Sequence, residues 1–251
     1  MNHFFAKPPN IDLNQKIIYI DGEDVKHIQK ALRLKEKDKI TVSDGAGEGY
    51  FAEITEMAND QVAVKIIEAL PSAEKTRPFL TLYQGIAKGS KMDFIIQKAV
   101  ELGVSEIIPI MTEHTVVQLK DKEFEKKRKR WQKIAEEAAK QSKRLTLPIV
   151  KAPIGFKEAV LNAVDDQSDY LQLLAYEAES NISIRNVTGN GSLTDYVRIG
   201  VWIGPEGGFH QEEVDFAIKS DIHCVTLGPR ILRTETAGVV MLSILLYELE
   251  L

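Results

Sequence analysis

Two strand–loop–helix units in succession, between Val197 and Ala237, restrict the fold more than anything else in the chain. The first opens with Val197, Ile199, Val201, Trp202 and Ile203, an almost unbroken apolar run that suits a strand buried on both faces of a parallel sheet. Gly204-Pro205-Glu206-Gly207-Gly208-Phe209 then puts three glycines and a proline into six positions, so little side-chain bulk precedes the helical pattern that begins near Gln211. The second unit repeats the arrangement, with a strand over 224–227, a loop from Gly228 to Ala237 and a long apolar helix over 238–249. Two such loops fall at the carboxyl edge of the sheet, where open α/β folds hold ligands.

The preceding sequence alternates in the same way. Strands are expected over 79–83, 106–111, 149–150 and 170–176, and helices over 91–102, 122–143 and 156–164, with Gly103 ending the first helix. Residues 177–194 read as a surface loop with room for one short helix. This alternation predicts an α/β domain over 79–251. The first 70 residues differ: strands over 16–20, 39–43, 50–55 and 61–67 and one amphipathic helix over 24–34 predict a small β-barrel domain. Residues 71–78, bounded by prolines and polar between them, read as a linker.

The chain of 251 residues carries a formal net charge of −5, which argues against a general nucleic-acid coat. The charge is uneven, however. Between Lys120 and Arg144, eleven Lys and Arg face five Asp and Glu, a localised basic stretch that suits a polyanion. Lys126, Arg128, Arg130 and Arg144 are its candidate RNA contacts; on the first domain's helix His27 is a structural histidine or a further RNA contact, and Arg33 a salt-bridge partner or a phosphate contact. A single cysteine, Cys224, excludes an internal disulfide and lies in an apolar strand as a small core residue. The histidines have no metal-ligand spacing, and no apolar run reaches the roughly 20 residues that cross a bilayer. A cytoplasmic protein without metal is expected.

The glycine-rich loop has neither a Walker lysine nor a Gly-x-Gly-x-x-Gly pattern, and Glu206 would repel a phosphate, so a cationic ligand suits it better. Thr234 or Thr236 could cap the last helix, with Glu235 favourable to its dipole. Arg230 and Arg233 would be unfavourable there, and so answer to an anion or to a carboxylate such as Glu206 or Glu235. The last helix has no polar face and must be covered by the core or, as favoured here, by a second subunit.

These residues resemble a known family over the whole chain. Phe4-Phe5, the 27–33 stretch HIQKALR, the 97–104 stretch QKAVELGV, the 137–144 stretch EAAKQSKR, and above all Ile203 to Phe209 with Leu227 to Ala237, are similar to the RsmE family of SPOUT methyltransferases, which make N3-methyluridine in 16S ribosomal RNA. The resemblance implies a PUA-like amino-terminal domain for RNA and an α/β domain tied in a deep trefoil knot, through which the protein forms a homodimer. It implies S-adenosylmethionine as cofactor, held by Leu174, Ile203, Gly204, Gly207, Gly208, Leu227, Gly228, Ile231, Leu232 and Thr236. It also implies catalysis by Arg233, held in place by Glu235 or Glu206, with Arg230 on the RNA of the small ribosomal subunit and no evident general base. His3 and His114 stand where the family pattern has arginine, and His210 where it has a small hydroxyl residue. The rival expectations are a methyltransferase for another RNA such as transfer RNA, a non-catalytic RNA-binding assembly factor, and an unknotted nucleotide-binding enzyme.

Overall fold

The computed structural model describes residues 1–71, 78–115, 121–164, 169–189 and 191–250. They form two compact units, one made of residues up to 71 together with Ala139–Leu147, the other of the described residues from 78 to 138 and from 148 to 250. Most of the expected linker, 72–77, lies outside the described residues.

The first unit is one six-stranded sheet. Its strands are β1 (His3–Phe5), β2 (Ile11–Asp12), β3 (Ile17–Asp21), β4 (Lys39–Ser43), β5 (Gly49–Met57) and β6 (Gln61–Leu70), in the order β1-β4-β5-β6-β3-β2. Phe4, near one end of that order, and Ile18 and Ile20, near the other, share a single core with Val42, Ile54 and Val64, so the sheet wraps round one interior in barrel fashion. Register shifts in β5 between Phe51 and Ala52 and between Ile54 and Glu56 supply the bends. The expected helix over 24–34 is shorter than its apolar spacing suggested. It begins as α1 (Glu23–Lys26), continues as a π turn over His27–Ala31, and leaves Arg33 outside with φ +53°. Ala139–Leu147 joins this unit through Lys140, whose Nζ lies 2.7 Å from Asp24 Oδ1, and through Leu145, whose carbonyl accepts the Ser43 hydroxyl.

In the second unit every strand pair is parallel. The strands are β7 (Phe79–Gly85), β8 (Glu106–Met111), β9 (Ile149–Val150), β10 (Ile154–Gly155), β11 (Tyr170–Ala175), β12 (Arg198–Ile203) and β13 (His223–Val225). The order is β10-β8-β7-β12-β11-β13, with β9 also on β8. Central β12 is buried from Ile199 to Ile203, as its unbroken apolar run predicts. Trp202 stacks on Tyr83 at 3.8 Å between ring centroids, and its indole N–H donates to Gln172 Oε1 at 2.9 Å. Around them, α4 (Phe156–Ala163) and α6 (Gln211–Lys219) contribute Phe156, Val160 and Val214 to the core on one face. The neighbouring Ile203 turns to the other face and meets Gly238 of α7 (Thr234–Glu250), which packs on α2 (Lys91–Glu101). The remaining helices are α3 (Asp121–Gln141) and the short α5 (Ile184–Thr188).

The structure corrects several boundaries. α7 starts at Thr234, four residues before the apolar run, because the Thr236 and Ala237 amides already bond to the Arg233 carbonyl. β13 ends at Val225, since the Thr226 amide leaves the ladder for the carbonyl of Ile182. α3 ends at Gln141, and Lys143 turns away with φ +58°. The short strands β1, β2 and β10 have too few residues to show a period. Cys224 is buried, as expected of a core residue, and burial pushes its thiol up to about 11.

Candidate active site

The carboxyl ends of β11, β12 and β13 and the first turn of α7 enclose a cavity of about 740 Å³, within the range of small-molecule sites. Three loops line it: the one after β11 with Glu177 and Glu179, the Gly204–Phe209 loop after β12, and the stretch from Thr226 to Thr234 after β13. Its walls include apolar Ile203, Leu232 and Ile231, the last 85% exposed and therefore open for a ligand to cover. The two loops expected at one sheet edge thus meet there, together with the loop after β11.

The glycines are needed by contact as much as by backbone shape. A Cβ on Gly204 would lie 2.9 Å from the carbonyl carbon of Gly208, so the turn, closed by the Gly208 amide on the Pro205 carbonyl, could not form unchanged. Gly208 has φ +67°, and a Cβ there would meet Glu177 Oε1 at 2.5 Å. His114 packs beside Gly207, and His210 accepts the Glu212 amide at Nδ1, so this histidine caps α6 in place of the expected hydroxyl residue.

Charge in the cavity is sorted differently from expectation. Glu206 and Glu235 do not hold Arg233. Both pair with Lys91, whose Nζ lies 3.2 Å from Glu206 Oε1 and 3.5 Å from Glu235 Oε2. Glu206 Oε1 also accepts the Lys88 amide at 3.0 Å. Burial pushes the Glu206 carboxyl up, but the Lys88 amide and the Lys91 ammonium outweigh it and hold the group below its ordinary value. Lys91 takes the carboxylates because it reaches the loops from the start of α2, a position unfavourable for a cation unless an anion answers it. Glu179 is occupied by the Asn181 and Ile182 amides. Arg230 and Arg233 line the cavity with no ion pair among the described residues. Thr234 is no cap: its hydroxyl donates to the Gly204 carbonyl at 2.6 Å and accepts from Gln84 Nε2 at 2.9 Å, tying α7 to the glycine loop.

Of the expected cofactor residues, Ile203, Gly204, Gly207, Gly208, Leu227, Gly228, Ile231 and Leu232 line the cavity. Leu174 does not; strand alternation turns it into the core beside Trp202. Thr236 is also off the cavity, because Thr234 and Ala237 occupy the inward helix face three residues apart. Glu235 does not line the cavity but pairs with Lys91, which does. Among the expected RNA contacts, His27 and Arg33 are exposed. Arg128 is held by Glu125 and Arg130 by Asp93, which leaves Lys126 as the exposed cation without an ion pair among the described residues. Arg144 is buried and donates to Thr146 Oγ1, so it is not presented to solvent. His3 is buried too, with Nδ1 2.8 Å from Thr41 Oγ1. Sequence reasoning missed Lys91 and Glu177. The helix-dipole argument applied to Arg230 and Arg233 would have marked Lys91 as well.

Among the described residues, no cluster of three or more His, Cys, Asp or Glu could hold a metal, and no helix is long and apolar enough to cross a membrane. The family described as RNA methyltransferase domain matches residues 74–246, and that described as RNA methyltransferase PUA domain matches residues 20–67. The ribosomal RNA small subunit methyltransferase E of Bacillus subtilis is 36% identical over 235 residues, 92% of this chain and 90% of the relative. Its counterpart from Buchnera aphidicola of Acyrthosiphon pisum is 31% identical, over 94% and 89%. The crystal structure of the Neisseria gonorrhoeae enzyme of that name, bound to S-adenosyl methionine, has a TM-score of 0.82 at 29% identity and covers 97% of this chain and 96% of that one. Such similarity over nearly the full length, in both units, places the chain in the ribosomal RNA small subunit methyltransferase E family.

Proposed function

We propose that this protein methylates N3 of a uridine in the 16S RNA of the small ribosomal subunit, with S-adenosylmethionine as methyl donor. The observation that carries this reading is the sorting of charge in the cavity: Lys91 holds Glu206 and Glu235, while Arg230 and Arg233, in the loop before α7, have no ion pair among the described residues. The residues suit the cofactor. The Gly204–Gly208 loop admits close approach to backbone, Ile203, Ile231 and Leu232 offer apolar surface to adenine, and the Glu177 carboxylate, with no ion pair among the described residues, favours a cation over a phosphate. When bound, the cofactor supplies an electrophilic methyl group on a sulfonium.

Uracil N3 attacks only after losing its proton, and the resulting charge spreads over the base oxygens. Arg233, free of Glu206 and Glu235, is the group placed to stabilise that charge, and Arg230 beside it to hold a phosphate. Residues 1–70 serve as the RNA-holding domain, residues 71–78 link it to the catalytic domain over 79–251, from which Ala139–Leu147 returns to the first unit, and His27, Arg33 and Lys126 are exposed for backbone phosphates. Ile244 and Tyr247, 38% and 63% exposed on α7, support a homodimer through the catalytic domain. The knot belongs to the same reading, as does action in the cytoplasm. Labelled S-adenosylmethionine, incubated with the protein and either small ribosomal subunits or bulk transfer RNA, tests the substrate. Label in the subunit RNA alone is expected. Label in transfer RNA alone would overturn the assignment, and no label in either, with cofactor bound, would leave a non-catalytic RNA-binding protein.

A further inference from the structure

The geometry points to Lys91 as the positioning residue of this site: its ammonium group holds the Gly204–Gly208 loop and the start of α7 together by binding one carboxylate from each. The assignment rests on the functional reading above only for what the two loops hold. The contacts themselves come from three segments distant in sequence. Lys91 opens α2, Glu206 sits in the glycine loop and Glu235 in the first turn of α7, and one nitrogen lies 3.2 and 3.5 Å from the two carboxylates. The Lys88 amide fixes the same Glu206 oxygen at 3.0 Å, so the β7–α2 connection grips the glycine loop through both backbone and side chain.

An exposed ion pair would contribute little. This one differs in burial: the side chains of Lys91, Glu206 and Glu235 are 31%, 28% and 21% exposed, and Glu235 Oε2 is buried with no hydrogen bond. Lys91 is the only cation paired with that oxygen among the described residues, so removing it leaves the half-buried Glu206 and Glu235 carboxylates close together with no cation between them. A second tie joins the same two segments at the cavity floor, where the Thr234 hydroxyl donates to the Gly204 carbonyl and is itself held by buried Gln84. The floor is therefore fixed by neutral hydrogen bonds and the rim by charge. Arg233, next to Thr234 and two residues from Glu235, takes its position from both ties.

Three variants test this: Lys91→Met, Lys91→Arg and the double variant Lys91→Met with Glu206→Gln. Amide hydrogen exchange over 204–209 and 233–237 in the cofactor-free protein reads the clamp, and calorimetric titration with S-adenosylmethionine reads its consequence. Lys91→Met is expected to speed exchange in both segments and to weaken cofactor binding about tenfold, Lys91→Arg to stay within about twofold of wild type, and the double variant to recover most of the loss because the repulsion is gone. Packing alone would give no such recovery. Wild-type exchange in Lys91→Met, or a double variant no better than the single one, would overturn the proposal. If Lys91→Met does not fold, Glu235→Gln replaces it, with faster exchange at 233–237 expected and unchanged exchange there contradicting the clamp. A wild-type protein that binds no S-adenosylmethionine would sink the functional reading, while the exchange data would still decide the clamp.

Discussion

Arg233 stands at the cavity without a carboxylate partner among the described residues, although two carboxylates lie within the neighbouring turns. A neutralised guanidinium would stabilise a developing anion poorly, so Lys91, by taking Glu206 and Glu235, keeps the charge of Arg233 available. Arg233→Ala is expected to lower single-turnover methyl transfer by about 10²–10³-fold, the cost typical of losing one donor to a transition-state anion, with cofactor affinity within about twofold. Full turnover in that variant would remove Arg233 from the chemistry. Glu206 yields a pH prediction. Its folded carboxyl lies below its ordinary value of 4.5, so its stabilising contribution is complete above 4.5 and is lost as pH falls through the lower folded value. Thermal unfolding followed between pH 6 and 3 should decline less steeply for Glu206→Gln than for wild type, and parallel curves would contradict the pairing. That Arg230 and Arg233 call for an anionic partner was legible in the sequence, because a cation near the start of a helix needs a reason. Their relation to Glu206 and Glu235 was not, because the third partner lies more than a hundred residues away.

At the scale of the element, the glycine loop works through contacts that a sequence hints at but does not specify. Glycine density marked the turn; that Gly208 faces the Glu177 carboxylate emerges only when β11 and β12 lie side by side in parallel. Gly208→Ala should cost about 1–2 kcal/mol for its left-handed backbone and displace Glu177, with cofactor affinity falling about tenfold. Calorimetry and thermal unfolding check both parts, and an unchanged Tm would show that the backbone relaxes freely. The longer strands and helices of the α/β unit were legible from hydrophobic pattern, β12 by its unbroken apolar run rather than by a period. The start of α7 was not: Arg-Thr-Glu-Thr reads as a polar loop unless one knows that Thr234 is buried at 6% exposure and bonded to Gly204 and Gln84. Leu174 and Thr236 lie off the cavity for a related reason. They are next to cavity residues in sequence, but strand alternation and helix rotation turn them elsewhere.

For the whole molecule, composition gave the class and the change of grammar near residue 70 gave two parts. No local pattern announces that Ala139–Leu147 packs with the amino-terminal strands, since that return depends on Lys140 meeting Asp24 and Leu145 meeting Ser43. The same segment removes Arg144 from solvent and alters the basic stretch as an RNA surface. Lys126→Ala is accordingly expected to weaken RNA binding and to reduce its salt dependence by nearly one in the slope of log K against log salt, whereas Arg144→Ala should chiefly lower thermal stability. Titrations at several salt concentrations separate the two, and an unchanged slope for Lys126→Ala would take that residue off the RNA. The most direct measurement is the identity of the product. Small ribosomal subunits whose 16S RNA lacks the mark are treated with the protein and labelled S-adenosylmethionine, and the nucleosides are resolved by mass spectrometry and mapped. The account predicts one methyl group per subunit, at N3 of a single uridine. A methyl group on another atom or another base would contradict it.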